Sequence, residues 1–394
     1  MASTILKLLG VRGQVPLGSS VKRIFTTPRQ AKILVIDGVR LNVLKPLFNG
    51  ESFEILFTRG EQINLSPRII INSLLTAIRE KTLRYAYGIA FIDLVNPSIV
   101  ITFVDNNRFF QALDKRRNDD RVKFLAVQNG CRLFSGKKEV VAANGGDLTS
   151  IYHSNFFCFG EHDVDQYKKG PANVINYYPC GSLIDSYSRG LPRNRKSGLV
   201  SDICLIADKW NKFDYESSFG EYRKSYELLL DYLNIFQKRN KKQITVACKF
   251  PGGSSAHAHE VEWLQGHIGS DVDYVSSDRE EKWTSYSLCD HAEVVVGGYS
   301  SLLREMFGRG KKILACNYSS DPSMEFPYDG LWTLKEKGYD RFEKRLIEIM
   351  NLGTTEYKVI CGKYPSYLIG YSKVKPTQNV ISEFIDSHIK STKA

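Results

Sequence analysis

Short apolar runs alternate with segments of helical spacing along most of this chain. Residues 33–36, 53–57, 99–104, 123–127, 155–159 and 174–177 are nearly continuous in apolar side chains, as strands covered on both faces must be. Between the second and third of these runs, residues 67–84 place Ile70, Leu74, Leu75 and Ile78 on one helical face. Strands separated by helices run parallel in one sheet. The alternation starts again after residue 200. Strands are expected at 202–207, 243–249, 272–276, 292–296 and 312–316, and helices at 219–239, 257–267, 281–289 and from near Ser301. Residues 378–389 also have helical spacing. At 394 residues the chain exceeds one ordinary core. The pattern therefore predicts two doubly wound α/β domains.

The stretch DSYSRGLPRNRKSG, from Asp185 to Gly198, is rich in Ser, Gly, Pro and Arg and poor in apolar residues. It divides the chain into a basic N-terminal segment (1–31), a first domain (32–185), a linker (186–200), a second domain (201–375), and a C-terminal helix and tail (376–394). Two such domains are expected to face a central cleft lined by the carboxyl ends of their strands, where ligands of open α/β sheets bind.

An apolar fraction of 42% and a charged fraction of 25% are those of a soluble globular protein. No apolar run approaches the roughly 20 residues that a membrane helix needs. The net charge of +11 favours anionic partners. Part of it is local: up to Ile36 there is no acidic residue, against Lys7, Arg12, Lys22, Arg23, Arg29 and Lys32. Ile5, Leu8 and Leu9 could form an apolar helix face there, which suits a weak anchor on an anionic membrane surface. A transit peptide and a solvated terminus are the competing readings. The eight cysteines form no CxxC pair and lie mostly in strand-like runs. They read as reduced, buried thiols of a cytoplasmic protein, with neither a disulfide framework nor a zinc site.

The candidate functional residues follow the strands. After residues 292–296 come Gly297, Gly298, Tyr299, Ser300 and Ser301, and then a helix. Unpaired backbone N–H groups, the positive end of a helix dipole and two hydroxyls make this turn a place for a phosphate or carboxylate. Glu305, one helical turn on, could accept ribose hydroxyls, or else form a surface ion pair with Arg304 or Arg309. Lys249 ends a strand and can meet a phosphate as a point charge. Asp208 follows the first strand of the second domain as a candidate carboxylate. In the first domain Asp105, Asn106 and Asn107 leave a strand together. Asp105 could be a general base, and an Asx turn capping the next helix is the alternative. Gln128 and Asn129 offer amides for hydroxyl recognition, unless they only form a turn with Gly130. Glu161 could be catalytic or could cap a helix. Gly181 and Ser182 could line the cleft or make a simple turn. No residue set has metal-ligand spacing at a strand end, so no metal is expected.

These blocks carry a resemblance. VVVGGYSSLLRE followed by GRGKKILACN resembles the nucleotide-binding domain of GT-B glycosyltransferases. With VITFVDNNRFFQAL, VKFLAVQNG, FFCFGEHDVDQYKKG, YYPCGSLIDSY and SDICLIAD, the chain is similar over most of residues 32–320 to bacterial surface-carbohydrate biosynthesis proteins. That group is similar in turn to capsule, O-antigen and lipopolysaccharide transferases, some of which use CMP-linked keto-acid sugars such as Kdo. The resemblance implies a GT-B fold of two Rossmann-like domains, and transfer of a sugar from a nucleotide-sugar donor to a surface glycan or lipid-linked glycan. It also implies a location at the inner membrane face, and a CMP-linked donor is favoured. Ser300 and Ser301 would hold the donor phosphate and Glu305 the nucleoside. Asp105, Asp208 and Glu161 become the catalytic candidates, with retention or inversion left open.

Two other readings compete with this one. Polyol-phosphate transfer of the teichoic-acid type shares the architecture. A basic nucleic-acid-binding protein would explain the charge, yet the basic residues are dispersed after residue 36 and no aromatic-basic RNA motif appears. A nicotinamide-dependent oxidoreductase is excluded because no GxGxxG follows the first strand of either domain.

Overall fold

The computed structural model describes residues 21–59, 61–81, 83, 85–117, 121–132, 151–190, 201–208, 220–276, 283–372 and 375–391. Two compact units divide the chain. Unit 1 is Met1–Asn129, Val141–Ser186 and Tyr371–Ala394; unit 2 is Gly130–Val140 and Tyr187–Gly370.

Unit 1 is built on a six-stranded parallel sheet in the order β3-β2-β5-β6-β7-β8. The strands are β2 (Ile33–Ile36), β3 (Phe53–Leu56), β5 (Ile99–Thr102), β6 (Lys123–Val127), β7 (Tyr152–Cys158) and β8 (Asn173–Pro179). Every residue of β2 and β5 is buried, which is why these runs are apolar throughout. A small parallel ribbon joins β1 (Lys22–Ile24) to β4 (Gln62–Asn64). The longer helices are α1 (Pro67–Arg79), α2 (Ala86–Val95), α3 (Arg108–Arg117) and α4 (Glu161–Lys169), and α5 (Leu183–Gly190) begins in this unit. Ser66 caps α1 through its hydroxyl, and Pro67 stands at the first helical position. Gly88 in α2 permits a close approach of α3: a Cβ there would sit 2.6 Å from the Phe109 ring. Helix α13 (Thr377–Ser391) completes unit 1, burying Ile381, Ile385 and Ile389 and setting the Phe384 ring against Phe157 and Tyr178.

Unit 2 has a six-stranded parallel sheet in the order β11-β10-β9-β12-β13-β14. Its strands are β9 (Ile203–Ile206), β10 (Ile244–Ala247), β11 (Asp273–Val275), β12 (Val294–Gly297), β13 (Ile313–Cys316) and β14 (Thr333–Leu334). The order is that of a Rossmann sheet, and its direction of winding reverses between β9 and β12. In unit 1 the reversal lies between β2 and β5. Helices α6 (Gly220–Asn240), α7 (Ser255–Ile268), α8 (Thr284–His291) and α9 (Ser301–Gly308) connect successive strands. α10 (Tyr339–Asn351), α11 (Thr354–Cys361) and α12 (Tyr364–Leu368) follow β14.

Several expectations change. Helix α1 ends at Arg79 instead of residue 84, and its Ile70, Leu74, Leu75 and Ile78 are exposed, while Ile69, Ser73 and Thr76 face inward. Residues 186–190, expected in the linker, are the end of α5; residues 191–200 lie outside the described set. Within the basic N-terminal segment, residues 22–24 form a strand; Ile5, Leu8 and Leu9 lie outside the described residues. None of the eight cysteines is in a disulfide, and all but Cys131 are buried. No helix among the described residues is long and apolar enough to cross a membrane.

Candidate functional site

The expected residues of unit 2 converge at the carboxyl edge of its sheet, at the reversal of winding. Asp208 leaves β9 and Gly298 leaves the neighbouring strand β12. Tyr222, on α6, joins the two. Its hydroxyl donates to Asp208 Oδ2 at 2.9 Å, and its oxygen accepts the N–H of Tyr299. Burial, and then the Asp208 charge, hold the Tyr222 hydroxyl protonated. Tyr226, one turn along α6, donates to Ile206 O at 2.9 Å and accepts Asp208 N–H at 3.3 Å. Gly298 is required here, since a Cβ would stand 2.0 Å from Tyr222 Oη and 3.1 Å from Asp208 Oδ2. Tyr222 is not among the residues that the sequence alone singles out. Its signal was weak: an aromatic on the first helix after a strand usually packs in the core.

Asp208 is only partly exposed, and burial raises its carboxyl to about 6, against the opposing pull of Lys249 and the Tyr222 hydrogen bond. Lys249 itself is exposed. Its backbone and that of Phe250 donate to the buried Glu260 carboxylate, with a shortest distance of 2.9 Å, so α7 holds the loop that presents the lysine. Helix α9 begins at Ser301 with Ser300 as its N-cap and no side-chain cap. The N–H groups of its first turn therefore lack a capping side chain, and they carry the positive end of the helix dipole. The Ser301 hydroxyl accepts Cys131 N–H at 2.8 Å, which leaves its own proton to donate. Glu305 is buried and accepts a 2.6 Å hydrogen bond from Tyr286. Arg309 pairs with Asp290 at 2.5 Å.

The edge of unit 1 is different. Asp105 is buried; its carboxylate accepts Asn129 N–H at 3.2 Å and its carbonyl accepts the Gln111 amide at 2.8 Å. It ties the exits of β5 and β6 together. Asn107 accepts from Phe109 N and Phe110 N, so the helix-capping reading holds for it; Asn106 is exposed. Gln128 accepts Phe159 N–H at 2.8 Å and donates to Asp163 at 3.0 Å. Glu161 is exposed at the first residue of α4, where a carboxylate complements the helix dipole. Gly181 has φ +94° and a Cβ would meet the Tyr371 ring at 2.5 Å, while Ser182 accepts Asp185 N–H at the start of α5. These two form a structural turn.

Unit 1 also holds a residue that the sequence hid. Asp37, at the end of β2, has φ +64° and is buried. Its carboxylate accepts Thr58 N–H (3.2 Å), Thr58 Oγ1 (2.6 Å), Arg59 Nε (3.3 Å) and Asn107 Nδ2 (2.7 Å). It binds the loops after β2, β3 and β5 at the reversal of winding in that sheet.

For a metal, Cys248, His257 and Glu260 bring one ligand atom each within 4.8 Å of one another. Burial, and then Glu260, push the Cys248 thiol up to about 12, and Glu260 already accepts two backbone N–H groups.

Two Rossmann-like sheets with these strand orders are the two units of a GT-B fold. Solved structures bear this out over most of the chain. One is Staphylococcus aureus MnaA in a co-structure with UDP (TM-score 0.56, 10% identity, 92% of this chain and 96% of that one). Another is the wall teichoic acid polymerase TagF (0.53, 10%, 92% and 90%), and a third is a Listeria monocytogenes protein described provisionally as UDP-N-acetylglucosamine 2-epimerase (0.53, 12%, 92% and 97%). No curated protein is significantly similar in sequence. Residues 125–374 match the model of a family whose members carry the provisional description of O-antigen biosynthesis protein. The chain belongs to that family.

Proposed function

We propose that this protein is a glycosyltransferase that moves a sugar from a nucleotide-activated donor to a precursor of a bacterial surface glycan. The observation that carries the reading is the Gly298–Ser301 turn. It leads into the uncapped N-terminus of α9, beside Asp208 and the exposed Lys249, at the winding reversal of a Rossmann sheet. Backbone N–H groups and the Ser300 and Ser301 hydroxyls would take the donor phosphate, Lys249 its charge, and Glu305 the ribose.

In the reaction the bond from the anomeric carbon to the phosphate oxygen breaks, and the nucleotide leaves with that electron pair. The acceptor oxygen bonds the anomeric carbon and its proton passes to a base. Asp208 is our candidate for that base, since a carboxyl near 6 is largely ionised at neutral pH yet still takes a proton readily. A CMP-linked keto-acid sugar is the donor we favour, on the likeness of the sequence blocks. The teichoic-acid type of polyol-phosphate transfer is the second reading. Its support is the likeness to TagF, one structure of which was soaked with CDPG.

Calorimetric titration with CMP, CDP, UDP and GDP tests the proposal. One nucleotide is expected to bind, and more weakly to Lys249→Ala. If none binds at about millimolar concentration, where binding free energies are near −4 kcal/mol, the donor site is not here.

A further inference from the structure

Helix α1 is turned the wrong way round for a core helix. Its inward face carries Ile69 with the polar Ser73 and Thr76, while Ile70, Ile71, Leu74, Leu75 and Ile78 lie outside. Ile78 is 76% exposed and Leu75 60%. Leu83, just past the helix, is also exposed. Other exposed aliphatic residues, such as Ile175, Ile235 and Ile347, are scattered singly over the protein, which is ordinary. A contiguous aliphatic stripe on a surface helix is not.

The surroundings of the stripe are basic. At 100° per residue Arg68 and Arg79 fall along one edge of it, and Lys81 follows the helix. Arg79 pairs with Glu80 and Asp93; Arg68 and Lys81 are exposed. Strand β4 leads into α1, and β1 is bonded alongside it, with Leu65 N–H reaching Ile24 O. That brings exposed Lys22, Arg23 and Phe25, which is 65% exposed, to the start of the helix. The stripe itself has no Trp, Tyr or Arg, the residues that anchor protein–protein contacts. Aliphatic side chains bordered by cations, with an aromatic at the rim, match the boundary between acyl chains and anionic headgroups.

We infer that α1, with the β1 rim, is the face by which this protein lies on an anionic lipid bilayer. The helix lies in the plane of the surface, its leucines and isoleucines reach below the headgroups, and the lysines and arginines meet lipid phosphates. The inference rests on unit 1 alone and stands apart from the donor site and from the reaction proposed above.

Flotation of the full-length protein with vesicles tests it. Vesicles of phosphatidylcholine with about 30% phosphatidylglycerol are compared with phosphatidylcholine alone. The parent protein is expected to float with the anionic vesicles and to be released by high salt. Leu74→Glu with Ile78→Glu is expected to lose on the order of 10-fold or more in partitioning. Its melting temperature and its nucleotide titration should match the parent, because both side chains are exposed. Val359→Glu with Ile360→Glu, exposed aliphatic residues of α11 in unit 2, should float like the parent. The inference is overturned if the parent stays with the soluble fraction, or if the α1 variant floats as well as the parent. It is equally overturned if sedimentation shows a dimer that the α1 variant dissolves, since the face would then close on a second copy.

Discussion

The carboxyl edges of the two sheets use similar residues for opposite ends. In unit 1 the polar side chains at the strand exits bond to one another and to nearby backbone: Asp37 to Thr58, Arg59 and Asn107, Asp105 to Asn129, and Gln128 to Phe159 and Asp163. In unit 2 one tyrosine steadies Asp208 and the Tyr299 backbone, while Lys249 and the start of α9 stay available. An Asp after a buried strand therefore does not by itself mark a reactive site. What separates the two edges is whether the donors around the carboxylate are already committed.

Five substitutions would break or sharpen this contrast. The largest effect is expected from Gly298→Ala, whose Cβ must displace Tyr222. Overpacking of this kind costs about 1–3 kcal/mol, and the lost Tyr222 bonds add to it, so urea unfolding should show a marked drop and nucleotide binding should vanish. A variant as stable as the parent would mean that Tyr222 does not hold this turn. Next is Asp37→Ala, which orphans several donors and should cost about 2–3 kcal/mol. Nucleotide affinity should be unchanged, and a loss of affinity without a loss of stability would erase the distinction drawn between the edges.

The third test is pH. Burial raises Asp114, on α3 against Ser154, to about 7, and raises Asp208 to about 6, from an ordinary 3.8. A carboxyl raised in the folded state favours folding fully below its unfolded value, and that contribution is lost as pH rises through the folded value. Stability should therefore fall between about pH 4 and 7. Asp208→Asn should flatten the lower part of that window and Asp114→Asn the whole of it, each raising stability at pH 7 by about 1–3 kcal/mol. Only Asp208→Asn should alter turnover. Equal effects of both on turnover would deny Asp208 any special part. The smallest change in stability, within about 0.5 kcal/mol, is expected for the exposed Lys249→Ala. It should nevertheless weaken nucleotide binding about 10-fold, as loss of one charge-assisted contact does.

The central strands were legible because burial on both faces left them few polar positions, Thr102 and Thr245 among them: β2, β5, β9, β10 and β13 lie within their apolar runs, and β12 passes its run by Gly297 alone. Elements that depend on their neighbours were not. β14 is two residues long and exists by pairing with β13, and the ribbon of β1 and β4 is short and polar. Helix α2 is apolar almost all round, so it has no amphipathic period to read. In the site, the Gly-Gly-Tyr-Ser-Ser turn was visible because strand, turn and helix follow one another directly. Asp37 and Tyr222 were not visible, because their partners lie 14 to 77 residues away in sequence. The face of α1 was readable as a pattern, but nothing in the pattern says which medium it meets.

Helix α13 belongs to unit 1, although all of unit 2 except residues 130–140 lies between it and the rest of unit 1 in the chain. A ribosome therefore releases most of unit 1 with a bare apolar groove and supplies the helix that fills it only after the whole of unit 2 has emerged. Unit 2 can close first, while unit 1 waits. During that interval the groove meant for Ile381, Ile385 and Ile389 is open to chaperones or to another nascent chain.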